Sequence, residues 1–288
     1  MSKPASHPAG GLVRFKLRLS YDGTDFNGWA KQPTLRTVAG ELLAALQVIF
    51  GPSESDFGLR VAGRTDAGVH ALNQIAHLEL TSAQLARLGR TKDWRLRLNS
   101  LLPADVYVSE ISVAPAEFDA RFSATHRRYR YRIADARADR NPLQSRFTLW
   151  VPKELDLKRM QAAAERLYGL HDFASFCKPR EGSTTIRELK EIQVLRNQGD
   201  GGVIEIYLKA DAFCHNMVRS IVGALIAVGE GKADADSIEQ KLKQASRVGS
   251  YKVVAPNGLT LIEIGYPADS ELAAQAEKAR NFRTLDEN

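Results

Sequence analysis

Arg14-Phe15-Lys16-Leu17-Arg18-Leu19-Ser20 sets apolar Phe15, Leu17 and Leu19 against Arg14, Lys16 and Arg18. A period of two predicts a strand with one face buried and one wet. Asp22-Gly23 then punctuates a turn. From Thr37 the spacing changes. Val38, Leu42, Ala45, Leu46 and Ile49 recur as on one face of a helix, with Thr37 as N-cap and Gly51-Pro52 as the stop. Strands follow at 59–62 and 74–80, a helix at 94–102 ended by Pro103, and a strand at 106–111. Strand, helix, strand, strand, helix, strand is the ferredoxin-like order. The second half repeats it. A strand at 128–133 precedes a helix at 157–167, striped by Leu157, Met160, Ala164 and Leu167. Strands at 186–196 and 203–210, a helix at 216–228, a short helix at 237–244 and a strand at 259–264 complete the set.

The predicted class is therefore α/β, in the α+β sense. Two ferredoxin-like βαββαβ halves surround a central, mainly antiparallel sheet, with a cleft between them. The expected division is a flexible tail over 1–13, an N-terminal α/β domain over 14–116 and a C-terminal α/β domain over 117–267. A charged, Ala-rich tail over 268–288 holds at most a frayed helix. Val113-Ala114-Pro115-Ala116-Glu117 reads as the linker.

Composition narrows the function. The chain has 288 residues, 44% hydrophobic and 26% charged, which suits a globular protein and exceeds what a disordered one buries. The longest apolar run, 221–228, is eight residues, against about 20 for a membrane span. The opening stretch has no apolar signal region. Two cysteines, Cys177 and Cys214, make neither a four-ligand metal site nor a disulfide framework; this fits a reducing, cytoplasmic setting, and Cys214 reads as a buried thiol. The formal net charge is +6. Residues 120–140 hold seven arginines against two aspartates, a local net of +5. Such a concentration favours an anionic partner, nucleic acid first, although a solvated basic strand edge has the same composition.

Phosphate-loop and dinucleotide glycine fingerprints, paired-histidine metal motifs and serine nucleophile elbows are all lacking. His70, His77, His126, His171 and His215 read as polar or hydrogen-bonding side chains, and Cys214-His215 as neighbours rather than a catalytic dyad. The segment with most chemistry is Gly63-Arg64-Thr65-Asp66-Ala67-Gly68-Val69-His70-Ala71, between two predicted strands. Its glycines let the backbone turn tightly and approach a ligand. Asp66 is then either a presented reactive carboxylate or a turn residue bonded to its own backbone.

This segment resembles the active-site motif of the TruA family of tRNA pseudouridine synthases. Tyr21-Asp22-Gly23-Thr24-Asp25-Phe26 with Gly28-Trp29, Leu98-Asn99 with Leu102-Pro103, and Phe118-Asp119-Ala120-Arg121-Phe122-Ser123-Ala124 fit the same family. So do Arg128-Tyr129-Arg130-Tyr131, His171-Asp172-Phe173 with Ser175-Phe176, and Met217-Val218-Arg219 with Ile221-Val222-Gly223. The likeness runs over about 14–267, the pieces in order.

The resemblance implies the pseudouridine synthase fold and isomerisation of uridine at positions 38, 39 and 40 of the tRNA anticodon stem-loop, without cofactor or metal. It implies Asp66 as the nucleophile; attack at C1′, attack at C6 and stabilisation of an intermediate all remain open. Arg219 matches the basic partner of Asp66, and Tyr129 the active-site tyrosine. Arg64 matches the arginine that takes the place of the extruded base, since the target must leave its stack. Strand alternation separates Tyr129 and Tyr131 from Arg128, Arg130 and Arg132. The arginine face, Arg121, Lys178, Arg180 and Arg187 are the expected phosphate contacts. A homodimer is implied as well. Two rivals fit parts of the sequence: an RNA-binding module without activity, and a hydrolase using Asp66 on small molecules.

Overall fold

The last strand in the chain lies near the middle of the sheet. The computed structural model describes residues 11–89, 93–180, 182, 184–246, 251–281 and 284. Its strands are β1 (Val13–Tyr21), β2 (Arg60–Val61), β3 (His70–Leu80), β4 (Val106–Val113), β5 (His126–Ala134), β6 (Leu149–Trp150), β7 (Gly169–Asp172), β8 (Ile186–Asn197), β9 (Val203–Ala210) and β10 (Leu259–Gly265). Its α-helices are α1 (Val38–Phe50), α2 (Ser82–Ala86), α3 (Arg95–Leu101), α4 (Leu157–Glu165), α5 (Met217–Gly229), α6 (Ala235–Gln244) and α7 (Leu272–Arg280).

The sheet runs β4-β1-β3-β10-β5-β9-β8-β7, with β2 on β3 and β6 on β5. Two ferredoxin-like orders are visible in it. Strands β4, β1, β3 and β2 form one; β10, β5, β9 and β8 form the other. Within each the neighbours are antiparallel. The halves meet where β10 pairs parallel to β3, with Thr260 opposite His70 and Leu261 opposite Ala71.

Local sequence explains most elements. Leu17 and Leu19 of β1 are fully buried, while Arg14 on the other face pairs with Glu79. Thr37 caps α1 by accepting from the Gly40 amide at 3.2 Å, and α1 buries Val38, Leu42, Leu46 and Ile49. Helix α5 is apolar on several sides, burying Met217, Ile221, Val222, Leu225 and Val228. A side chain leaving α5 with a charge therefore needs a partner.

The structure differs from expectation in several places, among them the short helix α2 and strand β6, which the sequence pattern does not announce. Strand β3 starts at His70, directly from the Asp66 loop, rather than at 74. Strand β7 is unforeseen, because Gly169-Leu170-His171-Asp172 has no apolar alternation; pairing with β8 makes it a strand. The thiol expected at Cys214 is instead bonded to Cys177, whose Cα lies 5.7 Å away. The Lys178 amide donates to the His215 carbonyl at 2.8 Å and draws these two segments together. Finally, residues 272–280 are a docked helix rather than a frayed one, with Leu272 and Ala276 buried. Of the tail expected over 1–13, residues 1–10 lie outside the described residues, and β1 begins at Val13. Among the described residues no helix is long and apolar enough to cross a membrane.

Candidate active site

The loop between β2 and β3 is held from behind by the segment after β1. The Trp29 amide donates to the Thr65 carbonyl at 3.1 Å, and the Gly68 amide to the Phe26 carbonyl at 3.2 Å. Tyr21 and Thr65 share a hydrogen bond of 2.8 Å between their hydroxyls. Gln74 donates from one amide nitrogen to the Tyr21 hydroxyl at 3.1 Å and to the Gly63 carbonyl at 2.8 Å. Gly28 sits at φ +85°, and a Cβ there would lie 2.7 Å from the Thr65 carbonyl oxygen. Only glycine allows that approach.

His70 closes the loop. Its Nδ1 accepts from the Gly23 amide at 2.9 Å, and its Nε2 is 3.2 Å from the Asn257 carbonyl oxygen. The neutral tautomer with hydrogen on Nε2 satisfies both. Burial pushes the His70 pKa down, in keeping with that form. The loop is thereby tied to its own half and to the segment just before β10.

Asp66 projects from this support with a side chain 32% exposed. It is neither a buried acid nor a capping residue lying on the surface. Arg219, in the first turn of α5, brings Nη1 to 3.8 Å from Asp66 Oδ2. Its Nε donates to the Val254 carbonyl at 2.7 Å, which fixes the direction of the guanidinium. Tyr129 comes from β5 beside Gly63, edge-on to Phe213 with centroids 5.1 Å apart. Burial drives the Tyr129 pKa far up, and the neighbouring Tyr21 and Asp66 push it the same way. The phenol stays neutral at physiological pH: a stacking surface and proton donor, not a phenolate base.

Asp66, Tyr129, Arg219, Arg64 and Arg121 all border one cleft of about 1080 Å³. The volume exceeds that of one nucleoside. Burial lowers the Arg121 pKa, and crowding by Arg64 and Arg180 lowers it further. Several cations thus meet at the entrance. Arg187 also lines the cleft. Among the described residues no three His, Cys, Asp or Glu side chains gather as metal ligands do.

Arg128 and Arg130 are not brought to this cleft. They stand with Arg132 on the opposite face of β5, each against a carboxylate. Arg128 reaches Glu191 at 2.6 Å, Arg130 reaches Glu205 at 3.4 Å, and Arg132 reaches Asp200 at 2.6 Å. Each is paired with an acid of the same half of the molecule.

Two groups at the cleft escaped the reading of the sequence. His215 places Nε2 3.5 Å from Asp66 Oδ1, on the side opposite Arg219's contact. Its only signal was its place four residues before Arg219. Arg127 is nearly enclosed, and its guanidinium donates to four carbonyls: Ala62 and Asp211 at 2.8 Å, Arg121 at 2.5 Å and Ala124 at 3.4 Å. Burial lowers its pKa. It stitches the start of the Asp66 loop to β5 and to the end of β9. Alternation with Tyr129 places it on the cleft side of β5.

Comparison with known proteins is consistent along the chain. The family described as tRNA pseudouridine synthase matches residues 163–267. The tRNA pseudouridine synthase A of Leifsonia xyli is 49% identical over 95% of this chain and 98% of its own. That of Streptomyces avermitilis is 50% identical over 96% of this chain and 95% of its own, and that of Mycobacterium leprae 44% over 94% and 96%. Identity of this degree over nearly all of both chains shows the family and with it the fold: the chain belongs to the tRNA pseudouridine synthase A family, the TruA isomerases of the pseudouridine synthase fold.

Proposed function

We propose that the chain isomerises uridine to pseudouridine at positions 38, 39 and 40 of the tRNA anticodon stem-loop, with Asp66 as nucleophile. The observation that carries this reading is the meeting of Asp66, Tyr129 and Arg219, from three distant parts of the chain, at one cleft ringed by arginines. The N1–C1′ bond of the flipped uridine breaks, the uracil turns, and C5 bonds to C1′. The C5 proton leaves and N1 takes one up, so the formula is unchanged. Asp66 attacks as a carboxylate, at C1′ or at C6. Arg219 faces that carboxylate and aims it. Tyr129 offers a face for the base and a neutral hydroxyl for proton donation. Arg64 fills the gap left by the extruded base, and Arg121 meets the backbone.

The reading extends to a homodimer with one tRNA spanning both subunits, acting in the cytoplasm where its substrate is. Both rest on the family resemblance; light scattering on the purified protein checks the first.

The test is release of tritium from C5-labelled uridine in a tRNA transcript, followed by mapping of the product. Release with pseudouridine confined to 38–40 is expected. A protein that binds the transcript and releases nothing is a binding module, and turnover of free uridine marks a small-molecule enzyme.

A further inference from the structure

Helix α7 lies beyond residue 267, where the family match ends. It nevertheless packs behind residues that line the cleft. Leu272 packs with Ala62, Ile75, Phe118 and Ala120, in a small apolar cluster directly behind the start of the Asp66 loop. The Ser123 hydroxyl donates to the Leu272 carbonyl at 3.2 Å, and Gln275 donates to the Ala124 carbonyl at 3.3 Å. The helix thus grips the turn that carries Arg121 and Phe122.

Arg280 lies over the Phe122 ring at 4.9 Å, and Arg121 approaches the same ring at 5.1 Å. Among the described residues Asp119 is the only carboxylate within salt-bridge range of Arg280, at 3.8 Å, and it is shared with Arg60 at 3.6 Å. Asp119 is already committed: its Oδ1 accepts the Arg121 and Phe122 amides at 2.8 and 2.9 Å. The nearby Glu79 is taken by Arg14. Three arginines therefore surround one aspartate, and the Arg60 and Arg280 side chains are more than half exposed. Among the described residues neither guanidinium donates a hydrogen bond of ordinary length to the protein. Pre-positioned planar cations with open donors fit phosphate oxygens.

We infer that Arg60, on the rim of the cleft, and Arg280, held with it about Asp119 and Phe122, form a second phosphate-binding surface for the tRNA backbone that runs outward from the catalytic pocket. This rests on tRNA being the substrate and extends the groove from Arg121 onto the C-terminal helix. The contact reads no sequence and sets grip and register.

The test compares Arg60→Gln, Arg280→Gln and the double variant with the wild-type chain. It measures KM and kcat on full-length tRNA, and Kd from 50 to 300 mM KCl. Each single variant should raise Kd and KM about 3–10-fold and lower the slope of log K against log salt by about 0.7–0.9. The loss should fall on KM, with kcat within about twofold, and Arg280→Lys should recover the slope. An unchanged Kd and slope in the double variant overturns the inference. So does a loss confined to kcat with a fallen melting temperature, the mark of a helix that only braces the turn. Absence of turnover by the wild-type chain would strike the proposed function instead, because tRNA binding is read separately.

Discussion

Strand β5 and the cleft entrance use arginine in opposite ways. On the outer face of β5, Arg128, Arg130 and Arg132 stand at alternate positions, the densest positive charge in the sequence. Each meets a carboxylate from a neighbouring strand or turn. At the entrance, Arg60 and Arg64, Arg121, and Arg180 come from three separate stretches of the chain; burial first, and then the charges of Arg64 and Arg180, lower the pKa of Arg121. Charge clustered in sequence is neutralised in space here, and charge scattered in sequence is gathered. What decides whether an arginine is offered to a ligand is the acid across from it, which lies on another strand.

The largest effect should come from the carboxylate that Arg219 and His215 flank in the cleft. Asp66→Asn should lower turnover by about 10⁴-fold or more while leaving tRNA affinity and melting temperature close to wild type. Tritium release measures it, and retention of even a few per cent of activity would remove Asp66 from the chemistry. Arg219→Ala comes next. Losing a charge-assisted contact of about 1.5–3 kcal/mol should cost about 10–100-fold in kcat. Arg219→Lys should recover only part, because a lysine cannot both bond Val254 and face Asp66.

The direct contrast is Arg121→Gln against Arg130→Gln. The first should weaken tRNA binding about fivefold and flatten its salt dependence, with stability unchanged. The second should leave binding alone and cost about 1 kcal/mol in urea unfolding, since Glu205 is buried and loses a partner. An exchange of these two outcomes would break the comparison.

The smallest effect is on pH dependence, through His77. Its Nδ1 accepts the Ala120 amide at 2.9 Å, beneath the turn that carries Arg121. Burial lowers its pKa from 6.5 to about 4. Below pH 6.5 the unfolded chain takes up a proton that the folded chain refuses. Stability should therefore fall as pH drops from about 6.5 towards about 4, by no more than about 1.4 kcal/mol per pH unit from this group. Urea midpoints at pH 7 and pH 5 should differ less in His77→Asn than in wild type.

Much of the fold is legible because periodicity is local. Strand β9 and helix α1 follow directly from their alternation, spacing and caps, and the two ferredoxin-like orders follow from the sequence of elements. The site is legible in part. The glycines around Asp66 mark a loop that approaches something, but only the resemblance distinguishes Arg219 from a surface arginine. What stays hidden is set by partners far along the chain. Gly169–Asp172 becomes a strand only against β8. Cys214 finds Cys177 across 37 residues. Arg127 faces four carbonyls from three segments, which no pattern within β5 announces. His215 reaches Asp66 through the left-handed residue Asn216, at φ +66°, whose geometry a sequence does not display.

The position of β10 has a consequence for biosynthesis. A chain growing from its N-terminus can complete β4, β1 and β3 early, and β5, β9 and β8 later, yet the two remain unjoined until residues near 260 emerge. Asn257, which receives His70, and Val254, which orients Arg219, arrive in that same stretch. An incomplete nascent polypeptide therefore carries the motif around Asp66 without an assembled catalyst, and a truncation upstream of β10 leaves an inert product rather than a weak enzyme.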